Sequence, residues 1–337
     1  MQLCEQLGDR GLLFGSLAGL CSSCVMSGEL TKAHQVARRN LSLGEQSRQP
    51  RMLSVAHMSL AQVLHTKGEL AAAQDHFEKG VSLAEAESQS EGLGARGFPI
   101  YLSLMAQNQW LLGYPDRALA AAKQVITLAR SERNEWWGWV ARWSALLVLL
   151  WRRDSQALDD ANELLTFVTE RGFSIGPSQI TVGAALIDRG CLAEGIAQIE
   201  QAELEYLRFK LHREGRGEHE LIEASALGKA GRIADGLQLV VDVLRRKGET
   251  GAKVFEAEFQ RLLGDLLLAG HNTDTAEAGR AFRTAIEVAR QQGAKSSELR
   301  ATTSLARLLA KQGNATRRAR CWRRSTAGSP RASTPPT

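Results

Sequence analysis

Apolar residues along this chain recur with helical spacing in segments of about a dozen residues, and short polar turns interrupt them at near-regular intervals. The turns are SGEL at Gly28, KGEL at Gly68, LGYPD at Gly113, RRDS at Asp154, RGCL at Gly190, AGRI at Gly231, AGHN at Gly270 and KQGN at Gly313, 36 to 45 residues apart. No alternating β-branched run bounded by hairpin turns is present. A period of this length predicts an all-α solenoid of about eight helix-turn-helix repeats over residues 1–313. Five residues after the turn glycine stands a small residue (Ala33, Ala73, Ala118, Gly195, Gly236), where two antiparallel helices are expected to cross closely. Nine after it stand Phe77, Ile199 and Val240; eight before it stand Leu20, Leu60, Met105, Leu146, Val182 and Leu305, on the opposing face. Two after it, Leu30, Leu70, Pro115, Leu192 and Ile233 are expected to plug the turn. Two turns depart from the pattern. Asp154 takes the place of the glycine in the fourth, and HNTDT lengthens the seventh, where Ala278, Phe282 and Ala285 recover the register.

This register resembles the tetratricopeptide repeat, with the period stretched from 34 residues to about 41, which implies a right-handed α-α superhelix. WLLGYPDRAL (110–119), ERGF (170–173) and AKSSELRATTSLARLLAKQG (294–313) are similar to a narrower group. It is the C-terminal repeat region of bacterial proteins that carry a class III adenylate/guanylate cyclase, or the DNA-binding domain of a transcriptional regulator, followed by a signalling ATPase module. The resemblance runs from about residue 7 to residue 313. It implies a regulatory or protein-binding array that acts with the ATPase or cyclase modules of a parent protein. It does not imply an enzyme, because neither a GxxxxGK[ST] loop nor a cyclase metal-aspartate pattern is present.

In such repeats the first helix of each pair lines a concave groove, at 13, 10, 6, 3 and 2 residues before the turn glycine. That register places Gln62, His65, Gln107, Trp110, Trp151, Arg152 and Asp188 in the groove. Aromatic and polar groups in one concavity suit capture of a protein or peptide. The alternative is a sensor in which the groove near Trp110 and Trp151 takes a small-molecule inducer. The lysine-asparagine-arginine clamp that some repeats of this kind use on a partner's C-terminal carboxylate is missing. Its first pair of positions carries Ala18/Ser22, Met58/Gln62 and Ser103/Gln107.

Composition narrows the field further. The chain is 44% hydrophobic and 23% charged, an ordinary soluble balance. Its formal charge is +5, and six arginines from Arg317 onward, unaccompanied by any acid, leave −1 for everything before them. The body therefore gives no electrostatic reason to expect nucleic acid or anionic lipid as a partner. The longest apolar run, WSALLVLLW (143–151), is half of what a membrane span needs. Five scattered cysteines and a start, MQLCEQLGDR, without a secretory pattern point to a reducing cytoplasm.

Candidate chemistry finds no support. CSSC (Cys21, Cys24) falls inside a predicted helix and is expected to be packing. GLGARG (92–97) follows a helix where a dinucleotide site needs a strand, so a loop is expected. His57 and His65 lie two turns apart with no acidic third ligand at a useful spacing, and no GxSxG elbow exists. No catalytic residue, cofactor or metal is expected. In EWWGWVARWSALLVLLW (135–151), Trp136, Trp139, Trp143 and Leu150 form a stripe expected to be core, with Trp137 and Trp151 off it.

Residues 314–337 are expected to be a disordered basic tail. The second helix of the eighth repeat should follow Gly313, yet Arg318 stands where the small residue belongs, and arginine, serine, threonine and proline dominate beyond it. Codons compatible with Ala319–Thr337, read in a shifted frame, encode an amphipathic helix and then an acidic-aromatic cap. The tail is thus read as an out-of-frame replacement of a capping helix. Sequencing the gene checks this: a frameshift near codons 314–318 is expected, and an intact frame whose shifted codons yield no such helix overturns it.

Overall fold

The computed structural model of the chain describes residues 10–47, 49–91, 99–130, 134–173, 175–208, 217–270 and 275–313. The GLGARG segment and the predicted tail lie outside them. The described residues form fifteen α-helices and no strand. Repeat one is α1 (Arg10–Met26) and α2 (Leu30–Ser47), and repeat two is α3 (Pro50–Thr66) and α4 (Leu70–Glu91). Repeat three is α5 (Pro99–Leu112) and α6 (Pro115–Arg130), and repeat four is α7 (Glu135–Arg152) and α8 (Ala157–Glu170). Repeat five is α9 (Gly176–Asp188) and α10 (Leu192–Arg208), and repeat six is α11 (Gly217–Lys229) and α12 (Ile233–Thr250). Repeat seven is α13 (Glu256–Ala269) and α14 (Thr275–Gln292), and repeat eight begins with α15 (Lys295–Lys311). The fold is an α solenoid.

Six of the eight first helices end at a left-handed glycine. These turn glycines (Gly28, Gly68, Gly113, Gly190, Gly231, Gly313) have φ between 74° and 96°, a conformation that a side chain disfavours. The next amide reaches back five residues: Glu29 N to Cys24 O (2.8 Å), Glu69 N to Leu64 O (2.9 Å), Tyr114 N to Gln109 O (2.9 Å), Arg232 N to Leu227 O (2.9 Å). In the fourth repeat Asp154 N bonds Leu149 O at 2.9 Å, so the left-handed residue is Arg153, with φ 56°, and not Asp154. Asp154 instead accepts a hydrogen bond from Gln156 N (3.0 Å) and opens the turn into α8. Gly270, at φ −73° and ψ 162°, is extended and does not play the part of its counterparts.

The predicted crossing residues are where the helices meet. Ala33, Ala73 and Ala118 are inaccessible to solvent, and Gly195 and Gly236 are buried. Phe77, Ile199, Val240, Leu60, Leu146, Val182 and Leu305 fill the space between helices. Leu30 and Leu70 plug their turns, whereas Leu192 is 44% exposed and plugs nothing. The tryptophan stripe is core only over part of its length. Trp139 and Leu150 are buried and Trp143 stacks on His219 (4.0 Å between rings), but Trp136 is 44% exposed at the helix start.

Successive first helices pack side by side and form the inner wall of the coil. The coil also meets itself. The turn of repeat one abuts Thr250 at the end of repeat six, that of repeat two abuts Gln292 at the end of repeat seven, and that of repeat three abuts Lys295 at the start of repeat eight. Hydrogen bonds fasten the contact: Lys253 N and Val254 N donate to Thr66 O (2.9 and 3.2 Å), and Ser296 Oγ donates to Trp110 O (2.5 Å). Phe255, 1% exposed, is wedged at this seam among residues that include Leu70, Leu111 and Leu221.

Helices α9 and α10 cross backbone to backbone at a pair of glycines. A Cβ on Gly195 would lie 2.5 Å from Ile187 Cγ1 and 2.6 Å from Gly183 O, and one on Gly183 would lie 2.6 Å from Gly195 O. Gly183→Ala and Gly195→Ala are each expected to destabilise the chain by about 1–3 kcal/mol through overpacking. Gly15→Ala on α1, where a Cβ meets nothing within 4 Å, is expected to stabilise by up to about 1 kcal/mol. Urea-denaturation midpoints of the three variants check the contrast.

Candidate functional site

Several of the polar residues expected to face a groove tie one repeat to the next. Gln62 Oε1 accepts from Ser22 Oγ (3.2 Å), joining α3 to α1. Gln107 is fully buried and donates from Nε2 to both Ser144 Oγ (2.7 Å) and Ser144 O (3.0 Å), joining α5 to α7. His65 is buried with Nδ1 3.1 Å from Asn108 Oδ1, while Asn108 Nδ2 donates to Leu70 O (3.0 Å). Asp188 on α9 is bonded to Lys229 Nζ on α11. The partners lie 37 to 43 residues apart, one repeat, because first helices lie side by side. Gln107 and His65 consequently present no surface to a partner.

Trp110 and Trp151 are brought together, with ring centroids 6.1 Å apart, and Trp151 continues to Phe255 at 5.7 Å. His65 meets the same Phe255 ring edge-on at 6.4 Å. These aromatics belong to the seam, with Trp110 and Trp151 half-buried in it. Arg152 points away from the inner wall and pairs with Asp116 on α6 (3.0 Å). The reason is the left-handed Arg153: counted from it, the positions three and two before the turn are Leu150 and Trp151, and Arg152 drops out.

The concave site lies farther along the chain. A cavity of about 620 Å³ opens inside the coil, walled by α7, α9, α11, α13 and α15. Leu150 and Trp151 come from α7, Ala184 and Asp188 from α9, and Leu221, Ser225 and Lys229 from α11. On α15 the lining includes Arg300, Thr303 and Arg307, which are 13, 10 and 6 residues before Gly313, beside Leu299 and Ser304. On α13 it includes Glu258, Arg261, Asp265 and Ala269, each one residue late against Gly270, in keeping with the extended backbone of that glycine, with Leu262 and Leu266 beside them. Carrying the groove register past Asp188 to the Gly231 and Gly313 turns finds Ser225, Lys229, Arg300 and Arg307 on the cavity wall, whereas in repeat seven the lining is displaced by one residue.

Charge in the cavity is organised around Glu258. Its side chain is 4% exposed and its Oε2 accepts from Arg261 Nε (2.9 Å), with Arg300 Nη1 at 3.3 Å. Burial pushes this carboxyl up, but the Arg261 and Arg300 guanidiniums outweigh it and hold it below the usual carboxylate range. Arg261 also bonds Asp265. Arg300 is 41% exposed; enclosure by protein lowers its pKa first, and the like charges of Arg261 and Arg153 add to that against the pull of Glu258 and Asp265.

Other candidate chemistry resolves into packing. Cys21 is buried, its thiol donates to Ala33 O (3.6 Å), and burial followed by the charge of Cys24 pushes it up to about 12, so it is an inert thiol. His57 and His76 face each other with Nδ1 atoms 2.8 Å apart. Among the described residues no group of three or more histidine, cysteine or acidic side chains is placed to hold a metal ion. Among the described residues no helix is long and apolar enough to cross a membrane.

No family model matches the chain, and no curated protein sequence matches it either. Among solved structures, it is similar to a signal transduction ATPase with numerous domains that carries a tetratricopeptide repeat sensor, from Pyrococcus horikoshii. Identity is 13%, the TM-score is 0.49, and the match covers 97% of this chain and 48% of that one. The chain thus spans about half the length of that protein. It is also similar to a circular tandem repeat protein of novel repeat topology, at 13% identity, a TM-score of 0.27, and 94% and 95% coverage.

Burial of His65 fixes a pH dependence. Desolvation pushes its imidazole from 6.5 down to about 4, against a smaller upward pull from Asn108. The folded chain keeps the ring neutral where the unfolded chain protonates it. Stability is accordingly full above about pH 6.5 and is lost as pH falls toward about 4, by up to about 3 kcal/mol. His57, pushed down to about 4 by burial and then by His76 and Lys79, adds to the same slope. In urea titrations between pH 7 and pH 4.5, His65→Gln is expected to flatten the dependence without abolishing it.

Proposed function

We propose that this chain is a non-catalytic regulatory repeat region, and that the cavity inside the coil is where it receives its effector. The observation that carries the reading is the wall itself. Five first helices from repeats four to eight converge on one concavity in which apolar side chains and paired charges alternate, the usual make-up of a recognition site. The sequence resemblance supports placing such an array beside a signalling ATPase and a cyclase or DNA-binding module in a bacterial, cytoplasmic parent protein. There the occupant of the cavity would bias those modules. Of the two occupants expected from sequence, a peptide in an open trough and a small inducer, the geometry favours the second. α15 returns to α5 and walls the concavity on the side where a trough would continue.

Filling the cavity tests this. Ser225 lies on its wall and is half-buried, so Ser225→Trp occupies the space from a helix surface. Small metabolites screened by thermal shift on the full chain are expected to include one that raises Tm by several degrees near hundredfold saturation, and the shift should vanish in the variant. A protein partner captured equally well by wild type and Ser225→Trp, with no metabolite response, overturns the assignment of the cavity.

A further inference from the structure

We infer that the cavity binds a small organic dianion, a phosphate or paired carboxylates carried on an apolar body of about nucleotide size. The inference rests on the reading of the cavity as the effector site and adds the chemistry of the effector.

Five basic and three acidic side chains line the space. The acids are already engaged: Asp188 on Lys229, Asp265 on Arg261, and Glu258 on Arg261 and Arg300. Arg153 and Arg307 have no ion-pair partner among the described residues, and the cavity is left two positive charges in excess. The two come from different walls, Arg153 from the end of α7 and Arg307 from α15. Guanidinium forks offer paired N–H donors that match the oxygens of phosphate or carboxylate.

Arg153 also occupies a position where an arginine is conformationally out of place. It is the one non-glycine residue with positive φ among the described residues, and its six counterpart turns use glycine. Glycine would satisfy the backbone better there, so what arginine adds is its side chain, which lines the cavity and whose charge is felt at Arg300. Beside these cations stand Trp151, Leu221 and Leu262, a surface for a flat or apolar body. The volume of about 620 Å³ lies within the range of small-molecule sites. The chain's own residues 314–337 carry arginine and no acid, the wrong sign to be the occupant.

Isothermal titration of the full chain with adenosine 5′-monophosphate, adenosine, inorganic phosphate and a hexaglutamate peptide tests the inference. The monophosphate is expected to bind, with an affinity that falls as salt rises, and to exceed both adenosine and inorganic phosphate by about tenfold or more. Arg153→Gly relieves the left-handed backbone, so its Tm should match or exceed that of wild type while monophosphate affinity drops by about tenfold or more. Arg307→Gln on the exposed face of α15 should do the same to affinity. Unchanged binding in both variants, or no binding of the monophosphate at millimolar concentration, overturns the inference. So does a lower Tm for Arg153→Gly with binding intact, which would make the arginine a helix-end charge alone. Tighter binding of hexaglutamate overturns the small-molecule class. If a neutral metabolite answers to Ser225→Trp but not to Arg153→Gly, the cavity remains the effector site and only the anion is wrong.

Discussion

A helix can hand the chain to an antiparallel neighbour within three residues only if one of them adopts a left-handed conformation, and this array is built on that requirement. The left-handed residue fixes where the first helix stops and in which direction the second leaves. It thereby sets which side chain falls at the crossing and which face of the first helix looks into the coil. Ala33, Ala73 and Ala118 reach their crossings five residues later because Gly28, Gly68 and Gly113 turn at equivalent points. When the turning residue moves by one, as at Arg153, the inner face moves with it. When the turn is built differently, as at Gly270, the lining of α13 shifts by one position.

The second constraint is closure. Repeat arrays ordinarily contact only their neighbours, and their stability approximates a sum of repeat and interface terms. Here turns one to three rest on the connections of repeats six to eight, and the peptide at Lys253 and Val254 bonds to Thr66 across the seam. Phe255 buries its ring there, a contribution of about 2–3 kcal/mol on burial alone. Groups far apart in sequence thus share one packed surface. The inner wall that would otherwise be an open trough becomes a bounded space.

Much of this was legible in the chain. The period, the small residues at the crossings and the apolar positions opposite them follow from side-chain size and helical spacing, which are local properties. What escaped has physical reasons. Asp154 looked like the turn residue because aspartate favours turns and arginine in a left-handed conformation is rare. That one-residue error moved Arg152 into the groove and left Leu150 and Arg153 out of it. Gln107 and His65 occupy groove positions but point along the wall to the next repeat, and no sequence pattern distinguishes a buried amide from an exposed one. Leu192 matched the plug pattern, yet nothing packs over it. Closure has no local signature at all: Ser296 and Trp110 are 186 residues apart.

The seam has a mechanical consequence. A stack joined only through nearest neighbours behaves as a soft spring, since small rotations at every interface add up along its length. Tying one coil to the next by the Thr66 and Trp110 carbonyls turns the spring into a split ring. Tension applied to the two ends must first shear those few hydrogen bonds and withdraw Phe255 before any repeat unfolds. Extension would therefore begin with a discrete yield at the seam, followed by compliant lengthening of intact repeats.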